Sequence, residues 1–456
     1  MGTGLLAKLQ DAGVRAGREP AHVLLSTPAE LMIVDGTDTA PLSRADRELV
    51  ARYPQDVARG LKLAMQATGA RRAVLALAPE AREASGALAR EISADGFLKF
   101  HVTDLKIASH YPAGGATHLA ALATERPVPS GGTPEDVGAH VLSVRTLLAI
   151  AEADRGQPQT HQLVSIMGEV NRPVTVWVPY GLPLMRLVAA AGGIRGAAAR
   201  PLARSRAATA DGSTAGTAAD FVYLEGGPLG GQAASPDAPL RPDTNLVVVL
   251  RADSRAAATH LTPLEVHTRR ALSTCENCEQ CTAVCPRFLA GWRIEPHRIV
   301  RALARALPDE VLVSAALCSG CGVCTVACPA GLAPDILTLA VREQLARAGF
   351  EPRIEPARPR SYAADRRLPR ERLLLRLDLA RYDVAAPLAG TLAADRVVVP
   401  LELPWGGKAS PVVRDGHRVK AGQPIAQSPA GDLALPVHAP MAGSVRLSPL
   451  GVEISA

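Results

Sequence analysis

Two stretches decide how this chain is read: Cys275-Glu276-Asn277-Cys278-Glu279-Gln280-Cys281-Thr282-Ala283-Val284-Cys285-Pro286, and Cys318-Ser319-Gly320-Cys321-Gly322-Val323-Cys324-Thr325-Val326-Ala327-Cys328-Pro329. They contain all 8 cysteines of the protein, in two copies of one C-x2-C-x2-C-x3-C-P pattern. Such a run holds a [4Fe–4S] cube, because its short steps let one tight loop present three thiolates to three irons. The fourth cysteine, followed by proline, leaves the loop, and in two-cluster domains it ligates the other cube. The spacing therefore predicts one cluster on Cys275, Cys278, Cys281 and Cys328, and a second on Cys318, Cys321, Cys324 and Cys285. Zinc is the rival reading. It is disfavoured because zinc ligands fall in separated pairs, often with histidine, and number four per ion. The chemistry predicted is electron transfer.

The composition sets bounds around that centre. A chain of 456 residues suggests about three or four domains. Its 47% hydrophobic content includes only 3% aromatics, so alanine, valine and leucine must fill the cores. Eight thiols committed to iron imply a reducing compartment. No stretch reaches the length of a membrane span, and the first ten residues lack a signal-peptide core. The expected location is cytoplasmic, with no transmembrane segment and with peripheral membrane association left open. The formal charge of +6 is no sign of nucleic acid: two thiolate-ligated cubes carry about −4 together when oxidised. The arginines are also spread without interleaved aromatics, unlike a nucleic-acid face.

Four regions of different texture follow one another. Residues 1–155 alternate apolar runs (31–34, 73–78, 100–102) with helical patterns at 46–68 and 141–153, which predicts an α/β domain. After a linker at 156–159, short strands at 163–166, 174–178, 221–224 and 246–250 with a helix at 183–191 predict a β-grasp domain over 161–252. Its insertion 196–220 lacks periodicity and is expected to be a flexible surface segment. The cysteine runs lie in a helical domain, 263–349, with helices opened by Pro296 (face Ile299, Val300, Leu303, Leu307) and Pro334. Residues 351–372 read as a linker, and 373–456 as a barrel-sandwich module with two similar halves around Gly416, Gly422, Gly431 and Gly443. Its central turn, His438-Ala439-Pro440-Met441-Ala442, has no lysine to carry a covalent cofactor. The fold class expected is multidomain α/β and α+β.

Further stretches carry a resemblance: Ala51-Arg52-Tyr53-Pro54 with Arg59-Gly60-Leu61-Lys62, Tyr111-Pro112-Ala113-Gly114-Gly115, Arg126-Pro127-Val128-Pro129, Gly226-Gly227-Pro228 and Val437-His438-Ala439. With the cysteine runs they make the chain, over nearly its whole length, similar to the RnfC-like iron–sulfur electron-transfer family. Within it, the closest branch is that of the PduS-type cobalamin reductases of bacterial microcompartments, whose barrel module is C-terminal as here. The resemblance implies a complex I flavin-subunit-like α/β domain, an SLBB-like β-grasp, a helical two-cluster ferredoxin domain and an RnfC-type barrel-sandwich hybrid. It also implies electrons passing from NADH through FMN to the clusters, and a corrinoid as acceptor.

The departures concern one site. Where relatives have a glycine-rich loop of the G-x-G-G-x-G-F-P-T-x-x-K kind, whose amides approach a phosphate, this chain has 13–23, keeping Gly13 and Gly17, with Arg15, Arg18 and Glu19 between and beside them. Of the acids in Asn-Gly-Ala-Glu-x-Glu-Pro only Asp38 remains; the glutamate after Tyr-Pro-x-Gly-x is Ala116; and the asparagine pair before Val-x-Thr is Leu142-Ser143. The remnant Gly13, Gly17 and Asp38 is thus read as a degenerate FMN/NADH site that has lost its grip on both. The preferred function is a relay: a flavoprotein, ferredoxin or corrinoid-enzyme partner exchanges electrons with the clusters, in the cytoplasm or inside a microcompartment. The alternatives are a complete NADH- and FMN-dependent cobalamin reductase, a peripheral electron-input component of an Rnf-type membrane complex, and a structural protein stapled by its clusters. Some residues keep two readings. Gly226, Gly227, Gly230 and Gly231 suit a ligand loop or tight turns; His101, His110, His118 and His438 suit ligands or packing; Arg287 and Arg293 suit tuning of a cluster or hydrogen bonds at helix ends.

Overall fold

A computed structural model describes residues 2–17, 19–196, 220–305, 309–402, 407–428 and 435–456. Arg18, Leu307, Gly431 and nearly all of the insertion at 196–220 lie outside them.

The N-terminal domain is built on a parallel sheet in the order Val102–Asp104, Arg72–Leu77, Leu31–Gly36, Ala139–Ser143. The helices Pro54–Thr68 and Val144–Asp154 pack on it through Val57, Leu61, Met65, Leu147 and Ile150. Gly60 sets how closely these helices approach: a Cβ there would stand 1.9 Å from the Leu147 carbonyl oxygen. Two periodic segments are divided differently from the sequence reading. The run 46–68 breaks at Tyr53 into Ala45–Arg52 and Pro54–Thr68, because the residue before a proline is pushed out of helical geometry. The run 141–153 begins as a strand, Ala139–Ser143, and turns helical where the Ser143 hydroxyl accepts from the Thr146 amide (3.1 Å). A parallel strand buried on both faces has no alternation to set it apart from helix.

The second domain is a six-stranded sheet in the order Gln232–Ala234, Phe221–Glu225, Leu246–Arg251, His161–Gly168, Val174–Pro179, Leu388–Thr391. Its last strand arrives from beyond the cysteine domain and pairs in parallel with 174–179. Helix Leu184–Ala190 covers one face through Leu184, Leu187 and Val188. The same core continues into the C-terminal module through Val397, Val399, Ile425, Val452 and Ile454. That module combines the sheet Arg396–Val399, Gly451–Ser455, Gly443–Ser448, Arg418–Val419 with the three strands Ser410–Pro411, Pro424–Gln427 and Pro436–His438.

The segment 351–372 lies along the N-terminal domain. Ser130 and Glu355 exchange backbone hydrogen bonds (2.7 and 3.0 Å), and Leu368–Pro369 pairs with His110–Tyr111. Just beyond it, Asp383 is held by Arg370 (2.8 and 2.6 Å) and by Arg44, which fastens the crossing chain to the α/β domain. The cysteine domain is a helical cluster in which Leu264–Thr274, Pro296–Arg305 and Pro334–Arg347 meet through Ala271, Val300, Leu337 and Val341. Among the described residues no helix is long and apolar enough to cross a membrane.

Candidate metal centre

The two cysteine runs fold alike because their backbones repeat the same turns. Asn277 and Glu279 in the first run, and Gly320 and Gly322 in the second, hold φ of 57°, 61°, 75° and 72°. Those positive values bend each loop back so that its first three cysteines face one way. Glycine adopts them without cost, and asparagine tolerates them better than glutamate does. Each loop then enters a short helix, Gln280–Ala283 or Val323–Ala327. Cys285 and Cys328 leave those helices in the same extended conformation (φ −66° in both). The proline after each has no N–H to continue the helix.

Folding crosses the runs. Cys275, Cys278, Cys281 and Cys328 line one cavity of about 210 Å³, with His297, Asn277 and Leu332 completing its wall. Burial pushes the Cys281 thiol up to about 12, and its charged neighbours are Cys328, Cys275 and Cys278. Cys285, from the first run, stands among the second: burial pushes it to about 12, with Cys321 and Cys318 next in influence. Cys324 is raised further, by burial and then by Asp335, Cys321, Cys318 and Cys285. Four thiolates cannot share so small and buried a space unless a cation compensates them, since burial and like charge both favour the neutral thiols. Among the described residues no three His, Cys, Asp or Glu side chains converge closely enough to hold a single ion. A ring of thiols about a cavity fits a polynuclear core better than one zinc.

The two quartets differ in surroundings. Cys278 is exposed, and the first cavity is bordered by Glu276 and Glu279 on the surface side. His297 is buried there and pairs its Nδ1 with the Thr282 hydroxyl (2.8 Å). The second quartet is enclosed by three other parts of the chain. The Tyr111 hydroxyl donates to the Cys321 carbonyl (2.6 Å), and Arg342 donates to the Cys318 carbonyl (2.6 Å). Leu229 of the β-grasp packs against Gly322, where a Cβ would be 2.9 Å from its side chain, and Gly230 meets the Gly320 carbonyl in the same way at 2.7 Å. The glycines 226, 227 and 230, with φ of 85°, 94° and 74°, therefore form a turn seated on the second cysteine loop. Within this loop the Gly320 amide donates to Cys318 Sγ (3.4 Å).

The degenerate nucleotide site is divided. Gly13 and Gly17 line a cavity of about 310 Å³ where the first domain, the β-grasp and the C-terminal module meet, together with Arg15, Ser143, Arg145, Trp177, Tyr180 and His438. Asp38 instead borders a cavity of about 30 Å³ beside Thr37, Arg47, Tyr111 and Arg370. Its carboxylate accepts from the Ser43 hydroxyl (3.1 Å), the Asp46 amide (2.9 Å) and Arg47 Nε (2.7 Å), so it caps the helix Ala45–Arg52. The ends of the parallel strands, where an open α/β sheet binds its ligand, carry two further acids, Asp35 on the strand Leu31–Gly36 and the buried Asp46 in the first turn of the helix Ala45–Arg52. Asp35 accepts from the Thr37 amide and hydroxyl (3.0 and 2.8 Å), and burial raises its pKa. Asp46 is raised to about 7 by burial, against the pull of Arg145 at 2.9 Å. The loop itself closes into a small hairpin, Arg15–Ala16 with Glu19–Pro20, and the amides of Gly13 and Val14 donate to Gln10 and Leu9 carbonyls. Among the described residues the Gly13 and Val14 amides are thus used inside the loop, and Asp38 caps a helix at a different cavity from the one Gly13 and Gly17 line. Gly13, Gly17 and Asp38 therefore do not converge on one FMN site.

The remaining candidates scatter. His101 pairs with the Arg71 carbonyl, His110 and His118 stack edge-on at 5.6 Å, and His438 is buried against the Gly13 loop. Burial lowers the pKa of His110, and brings His118 down to about 4. Arg293 is exposed and pairs with Glu355 (2.8 Å). Sequence reasoning does not reach Tyr111, Arg342 and Leu229 as neighbours of the cysteines; Tyr111 and Leu229 lie in stretches singled out in the sequence, but nothing there links either to the cysteine loops.

The fold and its cysteines define an iron–sulfur electron-transfer protein. Four family models match in series: the Nuo51 FMN-binding domain over 10–152, the SLBB domain over 163–218, the 4Fe-4S dicluster domain over 274–333 and the RnfC barrel sandwich hybrid domain over 383–448. The cobalamin reductase PduS of Citrobacter freundii is 33% identical over 93% of this chain and 90% of its own length. PduS of Salmonella typhimurium is 33% identical with the same coverages. The chain belongs to the PduS family. A component of the Na(+)-translocating ferredoxin:NAD(+) oxidoreductase complex of Acetobacterium woodii is 26% identical over 62% of this chain and 57% of its own. The four-part architecture, the RnfC relationship and the two-cluster cofactor set expected from the sequence are thereby met.

Proposed function

We propose that this chain is an electron relay, taking electrons from a separate redox protein and passing them toward a corrinoid. The observation that carries this reading is the pair of crossed quartets, one opening to solvent at Cys278 and the other enclosed beside Tyr111. Bound [4Fe–4S] clusters supply reversible one-electron chemistry at these sites. Cys275, Cys278, Cys281 and Cys328 are the ligands of the outer site, and Cys318, Cys321, Cys324 and Cys285 those of the inner one. The exposed loop around Cys278 gives a partner its approach. The helices 264–274 and 334–347 and the β-grasp turn hold the two sites in fixed relation. The PduS relatives are named cobalamin reductases, which supports a corrinoid as acceptor, and the family resemblance supports a place inside a microcompartment. The domain limits are those of the sequence reading, with strand 388–391 assigned to the β-grasp.

Since Gly13 and Gly17 line one cavity while Asp38 caps a helix at another, the flavin is taken to reside on the partner. The test is anaerobic stopped-flow spectroscopy of the iron-loaded chain. NADH alone should leave its visible absorption unchanged, whereas a reduced flavodoxin or ferredoxin should bleach it. Bleaching by NADH without an added carrier would overturn the relay in favour of a complete reductase.

A further inference from the structure

Arg287 follows Cys285 by two residues, on the short helix Pro286–Leu289. Its guanidinium carbon lies 3.8 Å from the centre of the Trp292 ring. Trp292 is itself buried and fixed by Nε1–H donating to the Val128 carbonyl (3.1 Å). The stack therefore holds the charge of Arg287 in one place, and it does so beside the inner quartet: the thiols that feel it are Cys285, Cys318 and Cys321. Arg287 Nη1 is buried and has no hydrogen-bond partner among the described residues. A buried guanidinium donor left without an acceptor is costly. The charges that act on it come from the cysteine cage, of which Cys285 is two residues away on the chain. Other charges around that cage include Arg342, bonded to the Cys318 carbonyl, Arg376, bonded to the Val326 carbonyl (3.3 Å), and the buried Asp335, which is hydrogen-bonded to Thr325 and is the foremost charge acting on Cys324.

We propose that Arg287 tunes the inner cluster: its Nη1–H is a donor reserved for the sulfur of the cluster held by Cys285, Cys318, Cys321 and Cys324, and its fixed charge raises that cluster's reduction potential. Reduction adds one negative charge to the cage, so a nearby cation and an N–H donor both favour the reduced form. The outer quartet has no such neighbour on its wall: its lining carries Glu276, Glu279 and His297 but no arginine or lysine. The inference rests on the ligand sets proposed above, and an iron count on the parent protein tests those sets separately.

The experiment is an anaerobic redox titration of the full, iron-loaded chain with dithionite and mediators, followed by electron paramagnetic resonance. In Arg287→Gln one cluster should become harder to reduce, by about tenfold in its reduced-to-oxidised ratio at fixed potential, or about 59 mV for a one-electron couple. The other cluster should be unmoved, and Arg287→Lys, which keeps the charge but not the planar fork, should recover part of the shift. If Arg287→Gln loses iron, Arg287→Lys decides alone: a smaller downward shift confined to one cluster supports the assignment. Two unshifted clusters, or two shifted equally, would overturn it.

Discussion

Serine at Cys285 is expected to remove the same cluster as serine at Cys318, Cys321 or Cys324, although Cys285 belongs to the other sequence run. Serine at Cys328 should instead behave like serine at Cys275, Cys278 or Cys281. The reason is spatial: Cys328 lines the cavity of the first run, and Cys285 lies among the thiols of the second. Each variant should fall from about eight irons per chain to about four, with the loss sorted by quartet. The remaining cluster's spectrum identifies which one survived. Because metal binding is folding free energy, the inner-site variants should melt at the lower temperature, since that site is packed against Tyr111 and Leu229 as well as its own helices. Iron loss that sorts by sequence run, with Cys285→Ser matching Cys275→Ser, would contradict the crossed arrangement.

Asp383→Ala is expected to be the most damaging substitution away from the cysteines. The carboxylate joins Arg44 of the first domain to Arg370, and the three side chains are only 24%, 7% and 21% exposed. Its removal leaves two neighbouring guanidinium groups without their shared counter-charge, which costs about 3–5 kcal/mol for a pair this enclosed. The titration of Asp383 gives a second check. Burial pushes its pKa up, but hydrogen bonds from Arg370 and then Arg44 outweigh it and hold the pKa at about 2, against 3.8 ordinarily. A carboxyl with a lowered native pKa contributes stability that is complete above the unfolded value and is lost as pH falls through the native one. The parent should therefore lose about 2 kcal/mol between about pH 4 and pH 2 from this group. Denaturant melts over that range should show the loss in the parent and its absence in Asp383→Ala. Equal acid sensitivity of the two proteins would show that the clamp contributes nothing.

What was legible in the sequence was what depends on neighbours along the chain. The cysteine spacing, with a proline closing each run, announces two loops that each gather three thiols. Pro296 and Pro334 mark helix starts that the structure keeps. Less legible were features that depend on pairing across the chain. The strand Ala139–Ser143 is buried on both faces and hides inside a helical-looking run. Strand Leu388–Thr391 is four residues long and joins a sheet whose other strands end at Arg251. Asp38 looks, in the sequence, like the surviving acid of a nucleotide site, yet its oxygens accept from the first turn of the helix that follows, a use that any short polar side chain before a helix can serve. The contact of Tyr111 with Cys321 spans 210 positions and leaves no local trace.

A two-cluster relay that borrows its electrons should carry iron without flavin, and a single sample decides whether it does. The chain, purified anaerobically and incubated with FMN before desalting, is assayed for iron and for acid-released flavin together. The expected result is about eight irons and no stoichiometric flavin. About eight irons with one FMN per chain would contradict the relay, by showing that the altered loop at Gly13 and Gly17 still holds a flavin phosphate.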